Sequence, residues 1–225
     1  MKNYIFSNFS GAYLEEEFVK HQKNHKIETI VELGARECRD TILLAERYPN
    51  AKVFSFECNP DTIELCKYNL SIVDSSVRER IYFFPFAAGN LNSSNKFYKF
   101  IAEGNPGASS FYLRNDGINK QVETNFEIKI VRVDEILENF NIKNVDLVCA
   151  DIQGYEIEAL KGFGKYLNNV KFIITEIPKD KSMYLGAPTK KEMIDFFIEN
   201  NFEIIELKQE NIHEDNILLL NKGIK

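Results

Sequence analysis

Short β-branched runs that alternate with amphipathic stretches constrain this chain more than any other feature. "IETIVEL" (27–33), "DTILLAERY" (40–48), "AKVFSFE" (51–57), "PDTIELCKYNLSIV" (60–73) and "RIYFFPFA" (80–87) follow one another with short links. Strand, helix, strand, helix, strand at this spacing predicts right-handed βαβ units on a parallel sheet, and near-continuous apolar strands predict cover on both faces. Asn59 before Pro60 reads as a helix cap with proline at the first helical position. The alternation resumes with "VDEILENF" (133–140) as helix, "NVDLVCADI" (144–152) as strand, "YEIEALKGF" (155–163) as helix and "VKFIITEI" (170–177) as strand. "TKKEMIDFFIENN" (189–201) is an amphipathic helix capped by Thr189, and "FEIIEL" and "NILLLN" after it pair as an antiparallel hairpin. The expected fold is α/β, a mostly parallel, doubly wound sheet of about seven strands ending in that hairpin. One domain over residues 1–225 is expected, with an N-terminal helical segment over 1–26. Asn, Ser and Gly clusters mark 89–131 as an insertion carrying one or two strands and a substrate-facing loop.

The chain of 225 residues has 44% apolar residues, enough for a sizeable core, and 28 basic against 34 acidic side chains, a formal charge of −6. With no long Lys/Arg stretch, this balance argues against nucleic acid as a partner. Cys38, Cys58, Cys66 and Cys149 form no CxxC pair and read as reduced thiols of a cytoplasmic protein. The N-terminus lacks signal-peptide character and no run of about 18 apolar residues occurs, so neither secretion by that route nor a membrane span is expected.

In an open α/β sheet, ligands bind beyond the carboxyl ends of the strands. "VELGARECRD" (31–40) is the exit of the first strand, with Glu32 for charge, Gly34 for close backbone approach and Ala35 keeping the surroundings small. Glu57 ends the second strand, at the position where an acidic residue grips ribose hydroxyls, and its charge disfavours a 2′-phosphate. A dinucleotide needs G-x-G-x-x-G for its pyrophosphate, whereas here only Gly34 is present beside Glu32 and Glu37. A cationic, phosphate-free nucleoside such as S-adenosylmethionine suits this turn better. In "CADIQGYEIEALKG" (149–162), Asp151 ends a strand, Gly154 permits a turn and Glu156 opens the next helix; Glu176 ends the strand after that. Taken singly, Glu32, Glu57 and Glu156 read equally well as caps for neighbouring helices and Glu176 as a cap or surface ion pair, while Asp151 reads more readily as functional.

"VELGARECRD", "FSFECNP", "FPFAAGN", "GASSFY", "RVDEIL", "VDLVCADIQGYEIEALKG" and "FIITEIP" stand in the order and spacing of the FkbM-type S-adenosylmethionine-dependent methyltransferases, which the chain resembles over roughly 27–178. The resemblance implies a Rossmann-like class I methyltransferase sheet and methyl transfer to a hydroxyl, often on a sugar or natural product. By position it implies that Glu32 and Gly34 form the first cofactor motif, Glu57 the ribose ligand, Ala87 and Ala88 the adenine-side loop, and Asp151 the acidic residue near the methyl group; Ala35 and Cys58, beside these, are expected cofactor neighbours. Two departures stand out: the family has a further glycine at or beside Cys38, and often an acidic residue where Gln153 stands.

Methyl transfer to oxygen needs alignment and a proton acceptor. Asp151 is the first candidate, as base or orienting group, with Glu156 and Glu176 behind it. A divalent metal held by Asp151 and neighbouring carboxylates would serve the same end. His21 and His25 have ligand spacing but sit in lysine-rich "KHQKNHK", which favours a solvated face; His213 lies in a turn. "NPGASSFY" (105–112) offers adjacent hydroxyls and aromatic faces for a sugar, or is a plain loop, while Arg114 and Arg132 read as anion ligands or as surface ion pairs. Two other readings remain: a NAD-dependent oxidoreductase or epimerase, lacking here its glycine-rich turn and Tyr-x-x-x-Lys pair, and a cofactor-binding module without catalysis.

Overall fold

The computed structural model describes residues 3–7, 11–101, 106–115, 120–179 and 182–224. Seven strands form the main sheet: β1 (Thr29–Leu33), β2 (Lys52–Phe56), β3 (Ile81–Phe84), β4 (Val145–Ala150), β5 (Val170–Pro178), β6 (Phe202–Gln209) and β7 (Glu214–Asn221). Their order is β6-β7-β5-β4-β1-β2-β3. The five strands from β5 to β3 are parallel, and β7 runs antiparallel to both β5 and β6. The expected doubly wound sheet and terminal hairpin are thus present, and the order reverses between β1 and β4, where a cleft opens at the carboxyl edge.

Period-two alternation divides the side chains between two cores. Val31, Leu33, Phe54, Phe56, Val148 and Ala150 face α4 (Val133–Asn139), α5 (Glu156–Lys161) and α6 (Lys190–Glu199), the last three helices of the chain. Ile30, Val53, Leu147, Cys149, Phe172 and Ile174 face α1 (Glu16–Gln22), α2 (Arg39–Arg47) and α3 (Pro60–Ile72). Each fully buried Phe or Leu contributes roughly 1.5–3 kcal/mol, so the sheet position is strongly determined. The caps behave as read: Asn59 accepts from the Asp61 amide with Pro60 behind it, and Thr189 forms a reciprocal capping box with Glu192.

The described N-terminal residues are less helical than expected. They hold a 3₁₀ turn at Ala12–Leu14 and the seven-residue α1, preceded by a segment tied to α3 through Asn69, which exchanges hydrogen bonds with Ile5. The 89–131 segment forms small ribbons. Ile128–Val131 pairs with Ala87–Ala88 and Ser93–Asn95, while Tyr98–Phe100 pairs with Gln121–Glu123. Among the described residues no helix is long and apolar enough to cross a membrane, and all four cysteines are free thiols.

Candidate active site

A cavity of about 460 Å³ opens at the carboxyl ends of β1, β2 and β4 and reaches across to β5 and the β6–β7 turn. This size is typical of small-molecule and cofactor sites. Its floor is the turn after β1, where the Gly34 and Ala35 amides donate to the Phe56 carbonyl at 2.9 and 3.0 Å. Gly34 has φ +88°, and a Cβ there would lie 2.1 Å from the Asp151 carbonyl oxygen. The glycine therefore lets the β1 exit press against the β4 exit, a role in addition to the approach to a ligand read from the sequence. Arg36 and Cys38 also have positive φ, +48° and +60°. The chain thus keeps glycine-type backbone conformations at non-glycine positions, each costing about 1–2 kcal/mol.

Glu57 lies in the wall, its carboxylate oxygens accepting the Arg36 amide and the Asn59 amide, both at 2.6 Å. Burial raises its pKa to about 7 against those hydrogen bonds. The Cys58 amide and the Thr62 hydroxyl oppose the rise as well, and the carboxylate lines the cavity. Cys58, Ala87, Ala88, Phe97 and Ile152 are among the apolar residues of the wall.

Asp151 and Glu176 also line the cavity. Burial raises the Asp151 pKa, with hydrogen bonds from Gln153 and Glu176 and the charge of Arg36 opposing the rise. Glu176 is pushed well above the ordinary range by burial and then by the facing carboxyls of Asp151, Glu214, Glu156 and Glu210.

Other expected site residues stand elsewhere. Glu32 points, with Ile30, toward α2 and lies outside the cavity wall. Its Oε2 accepts from Thr41 and, at 2.8 Å, from Ser55, while Oε1 is buried without a partner. The strand's alternation decides this, because Leu33 rather than Glu32 is the last residue of β1. Glu156 is buried and folds back on its own turn, accepting from the Ile152 and Gly154 amides at 3.1 and 3.3 Å, and it too is absent from the main cavity wall. It therefore holds the turn that presents Asp151.

Both hydroxyls of "GASSFY" are engaged by the protein. Ser109 donates to the Pro106 carbonyl at 2.7 Å and accepts from the Phe100 amide, while Ser110 donates to the Gln153 carbonyl at 2.7 Å. Phe111 does line the cavity; Asn105 of that stretch lies outside the described residues. Arg114 reaches the wall and sits over the rings of Phe100 and Tyr184, whereas Arg132 is bound to Asp134 and Asn90. His21 pairs with Glu206 at 3.0 Å, His25 packs edge-on against Phe172, and His213 is exposed. Among the described residues no three His, Cys, Asp or Glu side chains converge to hold a metal ion.

The N-terminal segment is a contributor that residue patterns did not reveal. Ser7 donates through its amide and hydroxyl to Glu37, the Gly11 amide donates to Asp40 at 2.7 Å, and Tyr13 is buried at the cavity wall. These links bring the Gly11–Tyr13 stretch to the β1–α2 turn, and no local motif encodes them.

Strand order, the reversal beside β1, and a carboxylate at the end of β2 together define a Rossmann-like class I methyltransferase fold. A family profile described as Methyltransferase FkbM domain matches residues 32–204. The chain belongs to the FkbM methyltransferase family. Hexuronic acid methyltransferase AglP of Haloferax volcanii is 33% identical over 142 residues, 60% of this chain and 53% of that protein, so the chain spans about half the length of this relative. The 2-O-methyltransferase NoeI of Sinorhizobium fredii is 22% identical over 197 residues, 84% of this chain and 78% of that protein. Among solved structures, Aeropyrum pernix fibrillarin in complex with natively bound S-adenosyl-L-methionine superposes with a TM-score of 0.52 at 11% identity, covering 91% of this chain and 73% of that one. The Methanococcus jannaschii fibrillarin pre-rRNA processing protein gives 0.53 at 14%, covering 88% and 68%. At these identities the shared property is the fold.

Proposed function

We propose that the protein is an S-adenosylmethionine-dependent O-methyltransferase acting on a hydroxyl of a sugar or glycan. The observation that carries this reading is the pair Glu57 and Asp151, which stand at the ends of β2 and β4 on either side of the Gly34 turn and line one cavity. The cofactor suits the donor set. Glu57 lines the cavity as an acceptor for ribose hydroxyls, Cys58, Ala87, Ala88, Phe97 and Ile152 supply an apolar side for adenine, and Gly34 and Ala35 leave room at the floor. The described wall carries Glu37, Asp40, Glu57, Asp151, Glu176, Glu210 and Glu214 against Arg36, Arg39 and Arg114, with no lysine. A sulfonium cation matches that balance and a pyrophosphate does not.

When bound, S-adenosylmethionine supplies an electrophilic methyl group on a sulfonium. The chain's own part is to orient the acceptor hydroxyl and to accept its proton, and Asp151 is the cavity-lining carboxylate best placed for both. A sugar acceptor is supported by the names of the two relatives and by a wall of carboxylates that accept hydrogen bonds from hydroxyls. The same acidity opposes a nucleic acid. The free thiols fit a cytoplasmic location.

Calorimetric titration with S-adenosylmethionine and S-adenosylhomocysteine tests the cofactor. Micromolar binding that Glu57→Ala abolishes is expected, whereas no binding of either compound by the wild type sinks the proposal. A panel of neutral, amino and uronic sugars then tests the acceptor. Asp151→Ala should bind cofactor without transferring methyl; full activity in that variant would remove Asp151 from the mechanism.

A further inference from the structure

The turn after β4 is held from three sides. Ser110 donates to the Gln153 carbonyl at 2.7 Å, Glu156 accepts from the Ile152 and Gly154 amides, and the buried Tyr184 hydroxyl lies 2.5 Å from Gln153 Oε1 and 3.1 Å from the Ala108 carbonyl. Gln153 itself has φ +55°, a conformation a non-glycine residue keeps only when its surroundings impose it. The consequence lies in its side-chain amide. With Oε1 facing the tyrosine hydroxyl, the NH₂ is turned to two carboxyl groups, 2.5 Å from Asp151 Oδ1 and 3.4 Å from Glu176 Oε2.

Two carboxyl groups in one cleft resist being charged together. The short contact from Gln153 and the charge of Arg36 favour the anion on Asp151, whereas Glu176 receives the longer contact, is hydrogen-bonded to Asp151 and faces four other carboxyls. We infer that Tyr184 and Gln153 are positioning residues that select the base, holding Asp151 as the carboxylate and leaving Glu176 as its protonated hydrogen-bond partner. The inference rests on the methyltransferase reading for its catalytic consequence, while the proton's location does not depend on it. In the transfer, the acceptor O–H bond breaks and its proton passes to Asp151. The acceptor oxygen bonds the methyl carbon, and the carbon–sulfur electron pair stays with sulfur. Gln153 neither takes nor gives a proton. The groups facing the pair are Arg36 beyond β1, Tyr13 from the N-terminal segment, Glu156 on α5, Glu210 and Glu214 at the β6–β7 turn, and Tyr184 with Arg114 beside it.

Infrared difference spectra of the cofactor-free protein at neutral pH locate the proton directly. A carboxylic-acid carbonyl band that Glu176→Gln removes is expected, and that band should weaken in Gln153→Met, where the amide no longer favours one partner. In turnover, Gln153→Met should move the acidic limb of the kcat profile up by about one to two pH units, the worth of a hydrogen bond to a charged group. It should lose kcat below the shifted limb, recover as pH rises, and leave the KM for S-adenosylmethionine within about twofold. Tyr184→Phe should shift the limb in the same direction by less. A wild-type-minus-Glu176→Gln difference spectrum without a carboxylic-acid carbonyl band, or a Gln153→Met limb that coincides with the wild type, overturns the assignment. A wild type that binds neither cofactor compound sinks the functional reading alone, and the infrared bands then decide the proton assignment by themselves.

Discussion

Replacing Glu32 by Gln tests the physical account of the β1 carboxylate most sharply. Glu32 is fully buried between β1, β2 and α2, with Oε2 accepting from Thr41 and Ser55 and Oε1 without a partner. Burial lifts its pKa from 4.5 to about 8, with Thr41 and Ser55 opposing the rise and the Asp40 charge adding to it. The folded protein therefore holds a proton that the unfolded chain releases above pH 4.5. Stability from this group is complete below that value and falls as pH rises toward about 8. Each pH unit removes about 1.4 kcal/mol, so about 3 kcal/mol is gone by pH 7 and a little more by pH 8. Gln keeps an oxygen for Thr41 and Ser55 and carries no charge, so Glu32→Gln should lack this decline. Glu57 and Glu156, each raised to about 7, lower both proteins alike. Urea unfolding at about pH 5 and about pH 8 measures the effect as the difference between the two proteins' changes in stability. A gap that widens with pH by about 3–5 kcal/mol is expected. Parallel pH dependences would refute the claim that Glu32 is protonated in the fold.

Gly34→Ala should destabilise by several kcal/mol and abolish cofactor binding, because its Cβ would meet the Asp151 carbonyl at 2.1 Å in a positive-φ conformation; circular-dichroism melting and calorimetry together check it. Glu156→Ala leaves the half-buried Ile152 and Gly154 amides without this acceptor, at a cost of about 1–3 kcal/mol; kcat should drop more than the affinity for S-adenosylhomocysteine, and equal losses in both would contradict its role in the turn. Thr189→Ala removes the capping box of α6 and should lower stability by about 1 kcal/mol with no change in activity, as read by urea midpoints and turnover.

The amino-acid pattern alone determined the sheet, the two-sided burial, the caps at Asn59 and Thr189, and the strand-end positions of Glu57 and Asp151. Each of these follows from short-range rules: apolar periodicity, a capping side chain, and the position of an acidic residue just past a strand. Where a side chain's fate depended on which partner the fold brings near it, local pattern was insufficient. Glu32 lies one residue before the end of β1, so the sheet's alternation turns it under α2 instead of toward the cavity. Ser109 and Ser110 spend their hydroxyls on Pro106 and Gln153, and Glu156 spends its carboxylate on its own turn. Tyr184 meets Gln153 across 31 residues, and Ser7 meets Glu37 across 30. Hydrogen-bond donors and acceptors look alike in sequence whether they await a ligand or already hold the protein together. Only the tertiary structure decided between the two, because it alone sets which of them are already paired and which still face the cavity.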